Sequence, residues 1–343
     1  MRYLIVKTSA FGDVVHAFQA LEFLHTIDPE AVVDWVVEKK VSPLVMAHPK
    51  VNRAIQIDMK KWKKSLFSKA SWSEFFAFRK ELQQDQYDAV IDLQGNMKSA
   101  LVTALTRSKV KVGFGFQTAP ESLSASVLTH RYNPPKGQNI RDDYLFLLQS
   151  HFKQNIKPSS NVQFKGVVVA PKENIWLICP HSNWINKQLR EETLLSFLQA
   201  AYSSYKPNFI FLSGSDSEKA ISTRLKDAFP HATLLHQPNF TRLQETMQRA
   251  NLVISMDSLP LHLAATTDTP TYSFFGPSSS HKYAPAGSQH GSCQGSCPYG
   301  RTFEKRCPIL RTCKTGACLR DITPDTLFTS FQGWVGATAT LRL

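Results

Sequence analysis

The chain has 343 residues, 42% of them apolar and 20% charged, with 40 basic against 27 acidic side chains and a formal net charge of +13. That length suits two domains of ordinary size, and the apolar fraction is too high for a mostly disordered chain. No apolar run approaches the roughly 18 residues of a membrane-spanning helix, while a basic excess spread over both halves favours anionic partners (phosphorylated sugars, nucleic acid or an acidic membrane surface) without choosing among them.

Residues 2–7 (RYLIVK) read as a short buried strand, followed by a turn over 8–13 and a helix over 14–24. The apolar run at the start is shorter than a signal peptide needs, so a cytosolic protein is expected. Strands follow at 32–37 and 53–57, then a helix over 74–84 and a strand at 89–93 that ends in Gln94-Gly95. The segment NPPKGQ at 133–138 breaks the pattern, and a helix covers 140–152. Residues 154–172 are polar apart from a β-rich patch at 167–169, and a domain boundary falls here, giving domains 1–160 and 161–343. Alternation then resumes, with strands at 175–179, 209–212, 233–235, 252–255 and 271–275 and helices over 191–203, 217–228, 241–250 and 260–266. Strand and helix in alternation predict an α/β fold with parallel sheets covered on both faces. Two such domains place a ligand cleft at the carboxyl ends of their strands.

Five constellations carry chemistry. In the turn Thr8-Ser9-Ala10-Phe11-Gly12-Asp13, a carboxylate near a helix start is favoured as the anion and can accept a proton from a substrate hydroxyl, or it caps the helix. The dinucleotide fingerprint G-x-G-x-x-G is absent. At 254–265 a strand ends in Asp257-Ser258, Pro260 suits a first helical turn, and the free N–H groups of a helix start bind phosphate; His262 lies about one turn further on. The polar loop 180–187 offers Lys187 as a point charge for phosphate, or as a solvated lysine. Lys60, Lys61, Lys63, Lys64 and Lys69 interleave with Trp62, Phe67 and Trp72, a mixture suited to an anionic membrane, a phosphorylated glycolipid or nucleic acid, or simply a solvated face. Finally, Cys293, Cys297, Cys307, Cys313 and Cys318 are spaced C-x3-C-x9-C-x5-C-x4-C, without the paired C-x2-C knuckles of zinc ribbons. In a reducing cytosol they are free thiols or a structural zinc site rather than disulfides.

Taken in order, Lys7-Thr8-Ser9 with Gly12-Asp13-Val14, Asp257-Ser258 with Pro260 and His262-Leu263-Ala264-Ala265, and Phe275-Gly276-Pro277 resemble glycosyltransferase family 9, the ADP-heptose:lipopolysaccharide heptosyltransferases. Residues 60–67, the run from Tyr87 to Gly95, and Lys98-Ser99-Ala100 are similar to its heptosyltransferase I subgroup. The resemblance implies the GT-B fold, two Rossmann-like parallel-sheet domains facing a central cleft. The first would bind the acceptor; the second, which holds the Cys-rich segment 293–318, would bind the nucleotide sugar. It implies inverting transfer of heptose from ADP-heptose to the Kdo region of the lipopolysaccharide inner core, with no metal or other cofactor required. Asp13 is then the general base, and Lys187 with the helix N-terminus at 258–261 stabilises the departing ADP. Ser182, Asn183 and Glu218 fall at donor positions, as do Asp257, Ser258, Leu259, Leu261 and His262, with Leu259 standing where the family usually has glycine. Ser9, Gly12, Lys60, Lys61, Lys63 and Lys64 fall to the acceptor. The implied partners are a nucleotide sugar, Kdo-lipid A and the cytoplasmic face of the inner membrane, with a monomeric chain and no nucleic acid. Alternatives are a family 9 transferase for another nucleotide sugar or glycan, and a catalytically silent relative. A nucleic-acid binder would leave Asp13 and residues 257–262 without a role.

Overall fold

Long apolar runs with no alternation, such as Leu4-Ile5-Val6 and Trp176-Leu177-Ile178, belong in strands buried on both faces, which is the environment of a parallel sheet. The computed structural model describes residues 1–64 and 68–338, and it bears this out: the chain forms two α/β units, Met1–Ser160 and Asn161–Leu343, each built on a six-stranded sheet in which every strand pair is parallel.

The first unit runs β1 (Arg2–Val6), α1 (Phe11–Ile27), β2 (Val32–Glu38), α2 (Ser42–Ala47), β3 (Arg53–Ile57), α3 (Met59–Lys64), α4 (Lys69–Leu82), β4 (Ala89–Asp92), α5 (Met97–Leu105), β5 (Lys111–Phe114), β6 (His130–Tyr132) and α6 (Ile140–Phe152). Its strand order is β3-β2-β1-β4-β5-β6. Helix α1 is buried along Val14–Leu24, packing against α6 and, through Phe18, against Trp35 of β2 at 5.9 Å between ring centroids. The core on the α3–α4 side joins Leu4, Val36, Ile55, Phe78 and Val90.

The second unit runs β7 (Glu173–Cys179), α7 (Glu191–Tyr205), β8 (Asn208–Ser213), α8 (Asp216–Asp227), β9 (Thr233–His236), α9 (Phe240–Arg249), β10 (Ala250–Met256), α10 (Leu259–Ala264), β11 (Thr271–Phe275), α11 (Ser280–Tyr283), β12 (His290–Gln294), α12 (Ala317–Arg320) and α13 (Pro324–Ala337). Its order, β12-β11-β10-β7-β8-β9, repeats that of the first unit. Phe331 of α13 is fully buried, with ring centroids 5.7 Å from Trp176 and Phe197 and 5.0 Å from Tyr272. Burying a side chain of that size contributes about 1.5–3 kcal/mol.

Some expectations are corrected. Helix α1 begins at Phe11 rather than residue 14, with Ala10 in extended conformation as its N-cap. The β-rich patch at 167–169, for which no strand was expected, forms none: Val168 and Val169 are 72% and 65% exposed. β branching alone does not make a strand without a sheet edge to receive it. Strands β5, β6 and β12 and helices α2, α3, α5, α11, α12 and α13 were not foreseen. Among the described residues no helix is long and apolar enough to cross a membrane.

Candidate functional site

In an open parallel sheet of this strand order, the first and fourth strands of the unit send their connections to opposite faces, which opens a crevice beyond their carboxyl ends. The two units therefore nominate two places: the loops after β1 and β4, and the loops after β7 and β10.

At the first place, β1 hands the chain to Lys7, Thr8 and Ser9. Lys7 is buried; its Nζ donates to the Leu93 carbonyl at 3.2 Å and lies 5.3 Å from the Tyr144 ring centre. The Ser9 amide donates to Gln94 Oε1 at 3.3 Å, tying the two loops together. Gly12 and Asp13 occupy the first turn of α1, with Asp13 Oδ2 accepting from the Ala10 amide at 3.4 Å. Asp13 is thus a first-turn residue facing back to the cap, not the cap itself. Below it, Asp92 ends β4 fully buried; its Oδ1 accepts from the Gln94 and Gly95 amides at 2.9 and 3.0 Å. Burial raises the Asp92 carboxyl above its usual value, against the opposing pull of those amides, Ser99 and Lys7. Gly95 has φ +66°, and a Cβ there would meet Pro120 Cδ at 2.8 Å, so the turn requires glycine.

At the second place, Lys187 Nζ meets Asp257 Oδ2 at 2.5 Å, and His262 Nε2 stands 3.3 Å from Asp257 Oδ1. Lys187 comes from the loop after β7, Asp257 from the end of β10 and His262 from α10, so the cluster spans the point where strand order reverses. Lys187 and Asp257 are only 11% and 7% exposed. Burial by itself would raise the Asp257 carboxyl, but Lys187 and His262 outweigh it and hold the group well below the usual carboxylate range. Ser182 Oγ donates to the Asp257 carbonyl at 3.5 Å, and Gln188 Nε2 to the Ser182 carbonyl at 2.6 Å.

The other expected donor residues divide. Asn183 is exposed in the loop after β7. Glu218 lies in the first turn of α8: its Oε2 accepts from the Gly214 amide at 2.7 Å, and its own amide donates to Oγ of the N-cap Ser215 at 3.4 Å. Ser258 is the N-cap of α10 and Leu259 its first residue, half-buried; the Leu261 side chain is wholly buried, which leaves only its backbone for a ligand. Helix α10 is six residues long, so its dipole is weak and the charge at this place rests mainly on Lys187.

Among the acceptor lysines, Lys61 pairs with Glu74 of α4; the side chains of Lys60, Lys63 and Lys64, like residues 65–67, lie outside those described. The five-cysteine group is split. Cys293 sits in β12, buried against the core, and burial raises its thiol. Cys297, Cys307, Cys313 and Cys318 instead line one cavity.

Sequence reasoning assigned no individual role to Lys7, Asp92, His181 and Asn186. His181 follows β7, its Nε2 2.8 Å from Ser222 Oγ, and burial lowers its pKa while Glu218 opposes that shift. Asn186 Nδ2 donates to the Leu310 and Cys313 carbonyls at 2.9 and 2.8 Å. The available signal was positional: each lies at or just beyond the carboxyl end of a first or fourth strand.

Comparison with known proteins agrees with this fold. The family model for glycosyltransferase family 9 (heptosyltransferase) matches residues 75–312. Lipopolysaccharide heptosyltransferase 1 of Escherichia coli is 29% identical over 294 residues, covering 81% of this chain and 88% of that protein. Its namesake in Pseudomonas aeruginosa is 26% identical over the whole of both chains. The solved structure of E. coli heptosyltransferase WaaC with ADP-2-deoxy-2-fluoro heptose superposes with a TM-score of 0.80 at 26% identity, covering 97% of this chain and 99% of that one. Two parallel-sheet units of GT-B type, switch-point loops that carry Asp13 and the Lys187–Asp257–His262 cluster, and a family match over most of the sequence together make this chain a glycosyltransferase, a member of glycosyltransferase family 9, the heptosyltransferases.

Proposed function

We propose that this enzyme transfers heptose from ADP-heptose to a Kdo sugar of the lipopolysaccharide inner core, inverting the anomeric centre, with the donor on the second unit and the acceptor on the first. The observation that carries the reading is the buried Lys187–Asp257–His262 cluster at the reversal point of the second sheet. A lysine ammonium has three donors. Asp257 takes one and holds the group in place, which leaves two for a diphosphate. The solved relative's ADP-sugar analogue supports a nucleotide-diphosphate donor, and the names of the relatives support heptose and lipopolysaccharide.

In the reaction, Asp13 takes the proton of an acceptor hydroxyl as its oxygen bonds to C1 of the heptose. The bond from C1 to the phosphate oxygen breaks on the opposite face, and its electron pair leaves with ADP. Lys187 meets the charge that grows on that oxygen, where a fixed cation needs no reorganisation. The amides of Ser258 and Leu259, together with Ser182, Asn183 and Glu218, complete the donor site. Ser9 and Gly12 border the acceptor, and Lys60, Lys61, Lys63 and Lys64 attract its carboxylates and phosphates. Trp72 and Phe76 of α4, 53% and 54% exposed beside this basic segment, suit contact with the cytoplasmic face of the inner membrane.

The test is incubation with ADP-heptose and Kdo-lipid A followed by mass analysis of the lipid. A gain of one heptose is expected. An unchanged lipid, with another nucleotide sugar consumed in its place, overturns the assignment.

A further inference from the structure

The segment from Gly295 to Gly316 lies between β12 and α12 and contains no helix or strand, yet it follows a defined path of turns. Irregular stretches of this length inside a folded unit are uncommon without a function or a staple. Hydrophobic burial does not supply one: between Ser296 and Thr315, Leu310 is the sole buried side chain. Instead, three residues of the segment, Cys297, Cys307 and Cys313, and Cys318 of α12 line one small cavity of about 20 Å³. That volume admits one water-sized sphere and no organic ligand. All four are free thiols. The Gly316 amide donates to Cys313 Sγ at 3.4 Å. Arg301, Lys305, Arg306, Arg311 and Lys314 surround them in sequence against the single acid Glu304, an excess of positive charge that complements a dianionic tetrathiolate.

We propose that Cys297, Cys307, Cys313 and Cys318 bind one tetrahedral divalent transition metal, zinc or ferrous iron, which staples this segment against the loop that carries Lys187. Four thiolates in a closed shell are the chemistry of structural rather than catalytic sites. Binding deprotonates the four thiols and releases four protons. Among the described residues no group of three or more His, Cys, Asp or Glu side chains is placed to hold a metal ion as it stands, so binding requires the four sulfurs to move closer together. The link to function runs through Asn186, whose side chain grips the Leu310 and Cys313 carbonyls from the position just before Lys187. Gly316, at φ +61°, allows that approach: a Cβ there would stand 2.7 Å from Asn186 Oδ1. The staple is structural and stands or falls independently of which sugar is transferred.

The full chain, purified under reducing conditions without chelator, is analysed for metals. About one equivalent of zinc or iron per chain is expected; the element found identifies which of the two is held. The double variant Cys307→Ser/Cys313→Ser should lose it, and Cys293→Ser, whose thiol lies in the core, should keep it. If the double variant does not fold, chelated wild-type protein titrated with Co²⁺ gives the same answer, since four thiolates produce intense sulfur-to-cobalt charge-transfer bands. Metal-free protein with six reactive thiols and no cobalt spectrum overturns the proposal. So does the loss of four thiols as two disulfides, or equal metal content in the double variant and the wild type.

Discussion

Lys187→Met removes one charge from a nearly dry ion pair and leaves the aliphatic stem in place. Lys187 Nζ lies 2.5 Å from Asp257 Oδ2, both side chains are almost wholly buried, and the partner left behind is His262 at 3.3 Å. Breaking a buried pair strands the remaining charge, at a cost of about 3–5 kcal/mol; the surviving histidine contact places this case near 3. For a unit of this size that corresponds to a melting temperature lower by roughly 6–12 °C. The pH dependence gives the sign. In the wild type, Asp257 is held far below its unfolded pKa, so its contribution is present above about pH 4 and lost only in strong acid. In the variant, burial dominates and the carboxyl rises above its unfolded value. The penalty is then full at about pH 8 and shrinks as the group takes up a proton toward about pH 5. Urea unfolding at both pH values measures the gap, which should narrow in acid. Adding Asp257→Asn to Lys187→Met should recover most of the lost stability. ADP affinity, measured by calorimetry, should stay about 10–150-fold weaker in both variants, the equivalent of a charged hydrogen bond worth about 1.5–3 kcal/mol. A stability gap under about 1 kcal/mol at pH 8, or one that does not change with pH, refutes the idea that Lys187 neutralises Asp257.

Three further outcomes are expected. Asp13→Asn should lower kcat by about 10²–10⁴-fold with ADP binding preserved; wild-type turnover would remove Asp13 from the chemistry. Charge reversal at Lys60, Lys61, Lys63 and Lys64 should raise the acceptor KM and spare the donor KM, and a change confined to the donor would place these lysines wrongly. Gly95→Ala forces a Cβ into a left-handed turn and against Pro120, so unfolding should become easier by roughly 1–3 kcal/mol; an unchanged melting temperature would contradict that geometry.

The residue patterns by themselves determined the fold class. Apolar runs such as Leu4-Ile5-Val6 and Val253-Ile254, separated by amphipathic helices, have few solutions other than parallel sheets, because only a sheet covered on both faces buries them entirely. The placement of Asp13, Lys187, Asp257 and His262 was also legible, since each sits where a strand hands over to a helix. Helix α13 was missed although Thr323-Pro324 is a readable start, with Thr323 Oγ1 accepting from the Thr326 amide at 3.2 Å. Strand β12 carried no signal, because HGSCQ owes its conformation to pairing with β11 rather than to its own pattern. Tertiary structure alone decided which groups meet. Asp257 and Lys187 are 70 residues apart, and it is strand order that brings them to 2.5 Å. Pairing between strands likewise takes Cys293 into the core and leaves four cysteines around one cavity. Local sequence fixes backbone preference over a few residues, whereas the ionisation of a buried group depends on neighbours that only long-range packing supplies.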